Sequence, residues 1–277
     1  MKPKLILVDL DGTLLHDDKS FSPANRAALE RAAGQGAQVV VATGRFYGGV
    51  PGELLELPFL RYFILMNGAK VYDRREDRVL YRREIPQEVA QQVFAMIRPL
   101  DATVDCYQND VGLMDRRYLD RLDYYVPDPE SRRLVQRNRI PVDDFEGTVR
   151  RGGDWVQKIQ CLFPDPSLRP GVMEQLRERF PELVLSYSLP GNLEINQAGA
   201  TKGEALAGLC RALSIPLEES AAFGDGTNDL TMIRTAGTGV AMANGDPAVR
   251  AAADVVAPSN QEDGVARVLE RWFGTGE

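Results

Sequence analysis

Two carboxylates two residues apart follow the first apolar run of the chain. Lys4-Leu5-Ile6-Leu7-Val8 has the composition of a buried strand, and Asp9 and Asp11 come directly after it. Because residues i and i+2 of a strand project to the same side, both carboxylates should face the space beyond the carboxyl edge of a sheet, where open α/β folds bind ligands. Such a pair suits chemistry on phosphate, since one carboxylate can attack while the other moves protons or holds a metal.

Three further polar clusters stand at predicted strand ends or helix starts. They are Thr43-Gly44-Arg45, Thr201-Lys202-Gly203 and Gly224-Asp225-Gly226-Thr227-Asn228-Asp229. Strand ends of one parallel sheet lie side by side, so clusters that are far apart in sequence are expected to meet at one crevice.

Short apolar strands alternating with helices predict an α/β core. Ser22-Pro23 is typical of a helix start, and the strand at 38–42 is rich in valine. From about Arg83 the pattern changes to a mixture without a βαβ rhythm, and the first pattern returns at Thr201. We therefore predict a Rossmann-like, doubly wound parallel sheet core formed by residues 1–83 and 193–277, with an inserted α+β cap domain at 84–192.

Composition narrows the class of protein. A chain of 277 residues with a formal net charge of −7 suits two domains and disfavours a nucleic-acid surface. Cys106, Cys161 and Cys210 have no paired spacing, which favours packing roles and a reducing compartment. The single histidine, His16, excludes a histidine-rich metal site. No run reaches the roughly 18 apolar residues of a membrane span, so we expect a cytoplasmic protein without a membrane partner.

With these motifs the chain resembles the haloacid dehalogenase (HAD) superfamily, and within it the Cof-type (subfamily IIB) phosphatases, which carry a large cap between the second and third motifs. The resemblance covers nearly the whole chain. It includes four further stretches: Met66-Asn67-Gly68-Ala69, Leu193-Glu194-Ile195, Gly239-Val240-Ala241-Met242-Ala243-Asn244 and Ser259-Asn260-Gln261-Glu262-Asp263-Gly264-Val265.

The resemblance implies catalytic roles. Asp9 would be the nucleophile that forms an aspartyl-phosphate, and Asp11 would protonate the leaving alcohol and then activate water, a task that favours a raised pKa. Mg²⁺ would be held by the side chains of Asp9 and Asp225 and by the backbone carbonyl of Asp11. Asp229 would lie behind them and orient Lys202 or a metal-bound water.

The remaining site residues would bind the substrate. The phosphate-binding groups implied are the backbone N–H groups of Leu10 and Gly44, the hydroxyl of Thr43, the ammonium of Lys202 and the side-chain amide of Asn228. Arg45, Asn67 and Gly68 are candidates to contact the rest of the substrate, although each also suits an ordinary strand exit or tight turn.

The function predicted is a Mg²⁺-dependent phosphatase of small phosphorylated metabolites, such as sugar phosphates, pyridoxal phosphate or flavin mononucleotide. The alternatives are a phosphomutase, which uses the same motifs, and a non-catalytic phosphometabolite sensor, which would be expected to lose a motif aspartate. A dehalogenase would not need Asp11, and an ion-pumping ATPase would need membrane spans. We expect a monomer or homodimer with no nucleic-acid partner.

Overall fold

A computed structural model describes residues 2–187 and 191–274 of the chain. The chain divides into two compact units, the first formed by Met1–Arg82 with Gly199–Glu277 and the second by Arg83–Ala198.

The strands, in chain order, are β1 (Leu5–Val8), β2 (Gln38–Ala42), β3 (Tyr62–Leu65), β4 (Lys70–Asp73), β5 (Arg78–Arg82), β6 (Ile85–Pro86), β7 (Asp105–Gln108), β8 (Val111–Asp115), β9 (Ile140–Val142), β10 (Trp155–Val156), β11 (Lys158–Leu162), β12 (Leu183–Ser186), β13 (Asn192–Gln197), β14 (Ser220–Gly224), β15 (Thr238–Met242) and β16 (Val255–Ala257). The α-helices are α1 (Pro23–Gly34), α2 (Gly52–Leu55), α3 (Gln87–Ile97), α4 (Arg116–Leu119), α5 (Leu122–Tyr125), α6 (Pro129–Arg137), α7 (Phe145–Arg151), α8 (Arg169–Arg179), α9 (Lys202–Leu213), α10 (Leu230–Thr235), α11 (Pro247–Ala252) and α12 (Gly264–Phe273).

The first unit is built on an eight-stranded sheet with the order β16-β15-β14-β1-β2-β3-β4-β5. The pairings from β16 through β3 are parallel. The chain leaves β1 toward β2 on one side and returns to β14 on the other, so the strand order reverses between β1 and β14. This confirms the predicted α/β class and creates a crevice at the carboxyl ends of those two strands.

Alternating side chains of β1 are buried on both faces of this sheet. Leu5 and Leu7 pack in one apolar cluster with residues of α9, α10 and α11. Ile6 and Val8 are also buried and project to the opposite face, because successive strand residues alternate. Helices α1 and α12 pack against each other, with α1 also contacting β2 and α12 contacting β16. Burial on both faces explains why the strand reads as a continuous apolar run.

The sheet ends in an antiparallel pair that the sequence analysis did not predict. Strand β4 runs antiparallel to β3, and β5 runs antiparallel to β4. Strand β5 reads Arg-Val-Leu-Tyr-Arg and is only partly buried, so it lacked the apolar run that identified the central strands.

The second unit is a mixed α+β module. Its six-stranded sheet has the order β12-β13-β11-β7-β8-β9, and β6 pairs with β10 in a separate two-stranded ribbon. Strand β13 was assigned to the core from the sequence, with the boundary at residue 193, but it pairs with β11 and β12. The second unit therefore continues to Ala198.

The three cysteines are buried and free. Cys106 and Cys161 lie in the apolar cluster of the second unit, and Cys210 lies in that of the first. Packing is thus the role that all three occupy, as expected. Among the helices of residues 2–187 and 191–274, none is long and apolar enough to cross a membrane.

Candidate functional site

The carboxyl ends of β1 and β14 bring two predicted site residues together. Asp9 follows β1, and its backbone N–H donates to the carbonyl of Phe223 in β14 at 3.0 Å. Asp225 follows β14, so the two carboxylates stand on neighbouring strands at the reversal point of the sheet. Parallel pairing of β1 with β14 is what joins residues 216 positions apart in the sequence.

Lys202 is the buried centre of the site. It is the first residue of α9, whose start is capped by the Thr201 hydroxyl. Its side chain is fully buried, and Nζ donates to Oδ1 of Asp9 and to Oδ1 of Asp229, both at 2.6 Å. Burial alone would lower the pKa of Lys202, but Asp229 and Asp9 outweigh burial and raise it. The lysine is therefore a permanent cation between two carboxylates.

Asp229 also fixes the loop that carries Asp225. Its Oδ2 accepts hydrogen bonds from the backbone N–H groups of Asp225 and Gly226, both at 3.0 Å, and the residue is fully buried. Both of its oxygens are therefore engaged within the protein. This arrangement suits the predicted supporting role, in which Asp229 orients Lys202.

The carboxylates around Asp9 carry more negative charge than Lys202 alone offsets, which favours binding of a further cation. Burial raises the pKa of Asp9 to about 8, with Lys202 opposing the rise and Asp229 and Asp225 adding to it. Carboxylate oxygens of Asp9, Asp225 and Asp229 lie within 4.8 Å of one another. A hard divalent cation prefers such oxygens and would favour the ionised form of Asp9. The carboxylates of Asp9 and Asp225 therefore fit Mg²⁺, whereas both oxygens of Asp229 already accept hydrogen bonds.

Two residues of the loop that follows β1, Gly12 and Thr13, position the side chain of Asp225. The hydroxyl of Thr13 donates to its Oδ1 at 2.9 Å. Gly12 has φ +81°, and a Cβ at that position would lie 2.3 Å from Oδ2 of Asp225. Burial raises the pKa of Asp225, opposed by the Thr13 hydrogen bond and supported by Asp229. The Gly12-Thr13 pair in the first motif therefore leaves space for Asp225 and orients it.

Asp11 is bound by two cations. Arg45 forms a bidentate pair with it, Nε to Oδ2 at 2.8 Å and Nη2 to Oδ1 at 2.6 Å, and Lys19 Nζ lies 2.9 Å from Oδ1. Burial would raise the pKa of Asp11, but the hydrogen bonds from Arg45 and Lys19 lower it overall. The expectation of a raised pKa for Asp11 is therefore wrong for this arrangement, because sequence did not show that Arg45 and Lys19 reach it.

The second motif occupies the end of β2. Thr43 is buried, and its Oγ1 accepts a hydrogen bond from the backbone N–H of Arg45 at 3.1 Å. The backbone N–H of Asn67 donates to the carbonyl of Thr43 at 3.0 Å, which ties the end of β2 to the turn after β3. Gly44 lies between Thr43 and Arg45 in the sequence, and a Cβ at Gly44 would lie 2.9 Å from Oδ1 of Asn67.

The turn after β3 is conformationally unusual. Met66, Asn67 and Gly68 all have positive φ, at 51°, 57° and 106°. A Cβ on Gly68 would lie 2.2 Å from the carbonyl oxygen of Thr201, directly before the buried lysine. Consecutive left-handed residues store strain that persists only where surrounding contacts impose it. The backbone of this turn therefore packs closely against the start of α9.

Asn228 joins this turn to the loop after β14, because its Nδ2 donates to Oδ1 of Asn67 at 3.1 Å. Leu10, between the two motif aspartates, is buried, and its carbonyl accepts from the N–H groups of Thr13, Leu14 and Leu15. All of the predicted site residues thus lie in the first unit, on loops at the carboxyl ends of its strands or at the start of α9.

A sequence model described as haloacid dehalogenase-like hydrolase matches residues 6–269 of the chain. The chain belongs to the haloacid dehalogenase-like hydrolases. It is 30% identical over 271 residues to 5-amino-6-(5-phospho-D-ribitylamino)uracil phosphatase YcsE of Bacillus subtilis, covering 97% of this chain and 95% of the relative. It is 29% identical over 275 residues to the HMP-PP phosphatase of Serratia proteamaculans, covering 98% and 95%.

The fold comparison agrees. A haloacid dehalogenase-like hydrolase from Bacteroides thetaiotaomicron superposes with a TM-score of 0.84 at 30% identity, covering 98% of this chain and all of that one. Recognition of the HAD superfamily and of its Cof-type phosphatases from the motifs is confirmed, and this HAD hydrolase is an enzyme of the phosphatase type.

Sequence reasoning missed several contacts of this HAD site. It gave no role to Lys19, whose ammonium pairs with Asp11. It noted the stretches that contain Asn244 and Asn260 only as familiar, although Asn244 Nδ2 donates to the carbonyl of Gly12 and Asn260 Nδ2 to that of Leu15. The resemblance was the available signal, because these contacts cross more than 200 residues of sequence.

Proposed function

We propose that this HAD-type phosphatase hydrolyses small phosphorylated metabolites with Mg²⁺ and through an aspartyl-phosphate on Asp9. The observation that carries the proposal is the buried Asp9–Lys202–Asp229 arrangement, with Asp225 on the neighbouring strand end. Placing the carboxylates of Asp9, Asp225 and Asp229 near a single buried lysine is costly unless a further cation is bound there. A divalent cation would supply the missing positive charge, and together with Lys202 it would attract the phosphate of an ester.

The first step is the attack of Asp9 on phosphorus. Lys202 binds Oδ1 of Asp9, which leaves Oδ2 as the attacking oxygen. The bond between that oxygen and phosphorus forms while the bond from phosphorus to the leaving oxygen breaks, and Asp11 donates a proton to the leaving alcohol. The attacking carboxylate must be ionised, and Lys202 together with a bound divalent cation would favour that form against the burial that raises the pKa of Asp9.

The second step is hydrolysis of the acyl phosphate. Asp11 as the anion removes a proton from water, which attacks phosphorus and releases phosphate and free Asp9. Arg45 and Lys19 hold Asp11 in this anionic form. The protonated form needed in the first step is favoured once a substrate phosphate competes with Asp11 for the Arg45 guanidinium.

The remaining groups orient the phosphate. Thr43 through its hydroxyl, Leu10 and Gly44 through their backbone N–H groups, and Asn228 through its amide are the donors we assign to phosphate oxygens. The side chains of Asp9 and Asp225, with the backbone carbonyl of Asp11, would hold Mg²⁺. The ion would supply positive charge that offsets the charge developing on the phosphoryl oxygens.

The substrate class follows from the relatives. Two of its relatives are named for a phosphorylated ribitylaminouracil and for HMP-PP. We assign the same class, small phosphorylated metabolites. That the second unit sets the specificity, and that Arg45, Asn67 and Gly68 contact the rest of the substrate, are two separate predictions. That the protein is located in a reducing cytoplasm, and that it is a monomer or homodimer, stay predictions.

The test is release of inorganic phosphate by the purified protein across a panel of phosphorylated metabolites, with Mg²⁺ and with EDTA. We expect turnover of some members with Mg²⁺ and its loss with EDTA. The Asp9→Asn variant should bind substrate and lack turnover, because an amide does not attack phosphorus. Undiminished hydrolysis by that variant would refute the aspartyl-phosphate route, and transfer of phosphate to a second hydroxyl in place of water would indicate a mutase.

A further inference from the structure

Three asparagine side chains hold the loop that follows Asp11, which we define as residues 12–17. Each donates a hydrogen bond from Nδ2 to one loop carbonyl: Asn244 to Gly12 at 2.8 Å, Asn25 to Leu14 at 3.0 Å and Asn260 to Leu15 at 3.0 Å. Backbone carbonyls of a loop need such partners, because the loop is not part of a sheet ladder.

The three asparagines are themselves fixed by distant parts of the first unit. Asn25 lies in the first turn of α1, and its Oδ1 accepts from the N–H of Ala266 in α12 at 3.0 Å. Asn244 follows β15, and its Oδ1 accepts from the N–H of Asn260 at 3.0 Å. Asn25 and Asn260 are almost completely buried. The loop is therefore tied to these elements through both ends of the side-chain amides of Asn25 and Asn244 and through Nδ2 of Asn260.

The far end of the loop is held in the same way. Asn260 Nδ2 also donates to Oδ1 of Asp17 at 3.0 Å, and His16 Nε2 lies 3.0 Å from Oδ1 of Asp263. Asp263 adopts a left-handed conformation at the start of α12. The whole segment from Gly12 to Asp17 is thus anchored to the region after β15 and β16.

Asp11 depends on this anchoring because its side chain is held by ion pairs with Arg45 and Lys19 but little constrained by packing. Its carboxylate is 41% exposed, and one of its two cationic partners, Lys19, is 57% exposed. By contrast, the loop backbone folds back on β1, with the N–H of Leu14 donating to the carbonyl of Asp9 at 3.2 Å. The position of the loop therefore sets the position of Asp11 relative to Asp9.

We propose that Asn244 and Asn260, together with Asn25, are positioning residues for Asp11: they hold loop 12–17 so that the carboxylate of Asp11 meets the leaving oxygen of a substrate whose phosphorus is at Asp9. This inference rests on the proposed function. Misplacement of a reacting group by about 1 Å can cost about 100-fold in rate. Loss of one hydrogen bond between these asparagines and the loop is expected to lower the rate of phosphoryl transfer by about 10- to 100-fold.

Asn244→Asp is the sharpest variant. It keeps an acceptor oxygen for the N–H of Asn260 and replaces the donor to Gly12 with a charged oxygen that repels the Gly12 carbonyl. Asn244 lies at the surface, where the added charge is solvated, so folding should survive. Asn109→Asp is the matched control. Asn109 Nδ2 donates to the carbonyl of Gly152 at 2.7 Å, an exposed bond of the same kind in the second unit.

The decisive readout compares leaving groups. An alkyl phosphate needs protonation of its leaving oxygen, whereas p-nitrophenyl phosphate releases a stable anion and needs little help from an acid. We expect kcat/KM of Asn244→Asp to fall about tenfold more for the best alkyl phosphate of the panel than for p-nitrophenyl phosphate. Asp11→Asn should show the same pattern more strongly, and Asn109→Asp should show no change with either substrate.

Hydrogen exchange gives a second readout that does not need activity. Amides of residues 12–17 should exchange faster in Asn244→Asp and Asn260→Asp, and no faster in Asn109→Asp. Equal losses of kcat/KM for both leaving groups, or unchanged exchange in the loop, would overturn the inference. If the wild-type protein releases no phosphate from any ester, the proposed function fails. Hydrogen exchange of residues 12–17 then still decides whether the asparagine side chains hold the loop.

Discussion

Replacing Lys202 by methionine tests the electrostatic centre of the site. The substitution keeps a long apolar stem and removes the ammonium that binds Asp9 and Asp229 at 2.6 Å. The two carboxylates are then left buried and facing each other without their shared cation. Removing one partner of a buried ion pair costs about 3–5 kcal/mol, because the remaining charge loses its compensation without regaining water.

That free energy should be visible in thermal unfolding. For a protein of this size each 1 kcal/mol lowers Tm by about 2–4 °C, so we expect Lys202→Met to lower Tm by about 10 °C. Lys19→Met is the matched control. Lys19 pairs with Asp11 at 2.9 Å but is 57% exposed. An exposed pair contributes about 0–1 kcal/mol, so the Tm of Lys19→Met should fall by at most about 4 °C.

A double variant separates charge from packing. Asp229→Asn removes one of the two carboxylates that Lys202 compensates, so adding it to Lys202→Met should cost less than the sum of the two single changes. The expected coupling free energy is about 1–3 kcal/mol. Phosphatase activity should be lost in Lys202→Met and should fall much less in Lys19→Met, because Arg45 still pairs with Asp11 in that variant. Additivity of the two losses, or a Tm for Lys202→Met that matches the control, would refute this account of the site.

Three further outcomes are expected. Gly68→Ala should lower the free energy of unfolding by about 2–5 kcal/mol, because its Cβ would lie 2.2 Å from the Thr201 carbonyl, whereas Gly36→Ala, also at positive φ but with open space around it, should cost about 1–2 kcal/mol in the same denaturant titration. Burial would raise the pKa of Asp73, but hydrogen bonds from Arg61 and from two backbone N–H groups lower it overall. The stability that the Asp73 carboxylate contributes is therefore full above about pH 4 and is lost as pH falls through the lowered pKa. Asp73→Asn should be less stable than the wild type at pH 6, and the difference should disappear in unfolding curves measured in acid. EDTA should lower Tm of the wild type, and added Mg²⁺ should restore it, if the acidic cluster binds the ion; an unchanged Tm would contradict that assignment.

Local sequence predicted the parts of the site that depend on strand ends. The strand Leu5–Val8 is a continuous apolar run, so its end and the position of Asp9 were predictable. The parallel-sheet rule then placed the ends of β1, β2 and β14 along one edge, and the sheet order agrees. These inferences need only periodicity and chain direction.

Pairings that depend on the folded surface were not predictable in the same way. The bidentate bond from Arg45 to Asp11 joins two loops 34 residues apart, and nothing in either motif specifies it. Strand β13 lies next to the first unit in sequence but pairs with β11 in the second. A strand of alternating character fits either sheet, and its partner is decided by register and burial across the whole unit.

The site is marked by conflicts between local rules and the structure. A lysine in the first turn of a helix opposes the helix dipole, yet Lys202 stands there, fully buried. Met66 adopts a left-handed conformation that a residue with a large side chain rarely takes. Asp9 and Asp229 bury carboxylates. Each feature is unfavourable alone, but the lysine compensates the carboxylates, and the turn of Met66 fits the backbone before that lysine. Sequences normally agree with their folds at every level, so several costs that converge on one strand edge indicate that binding and chemistry, rather than stability, determine the residues there.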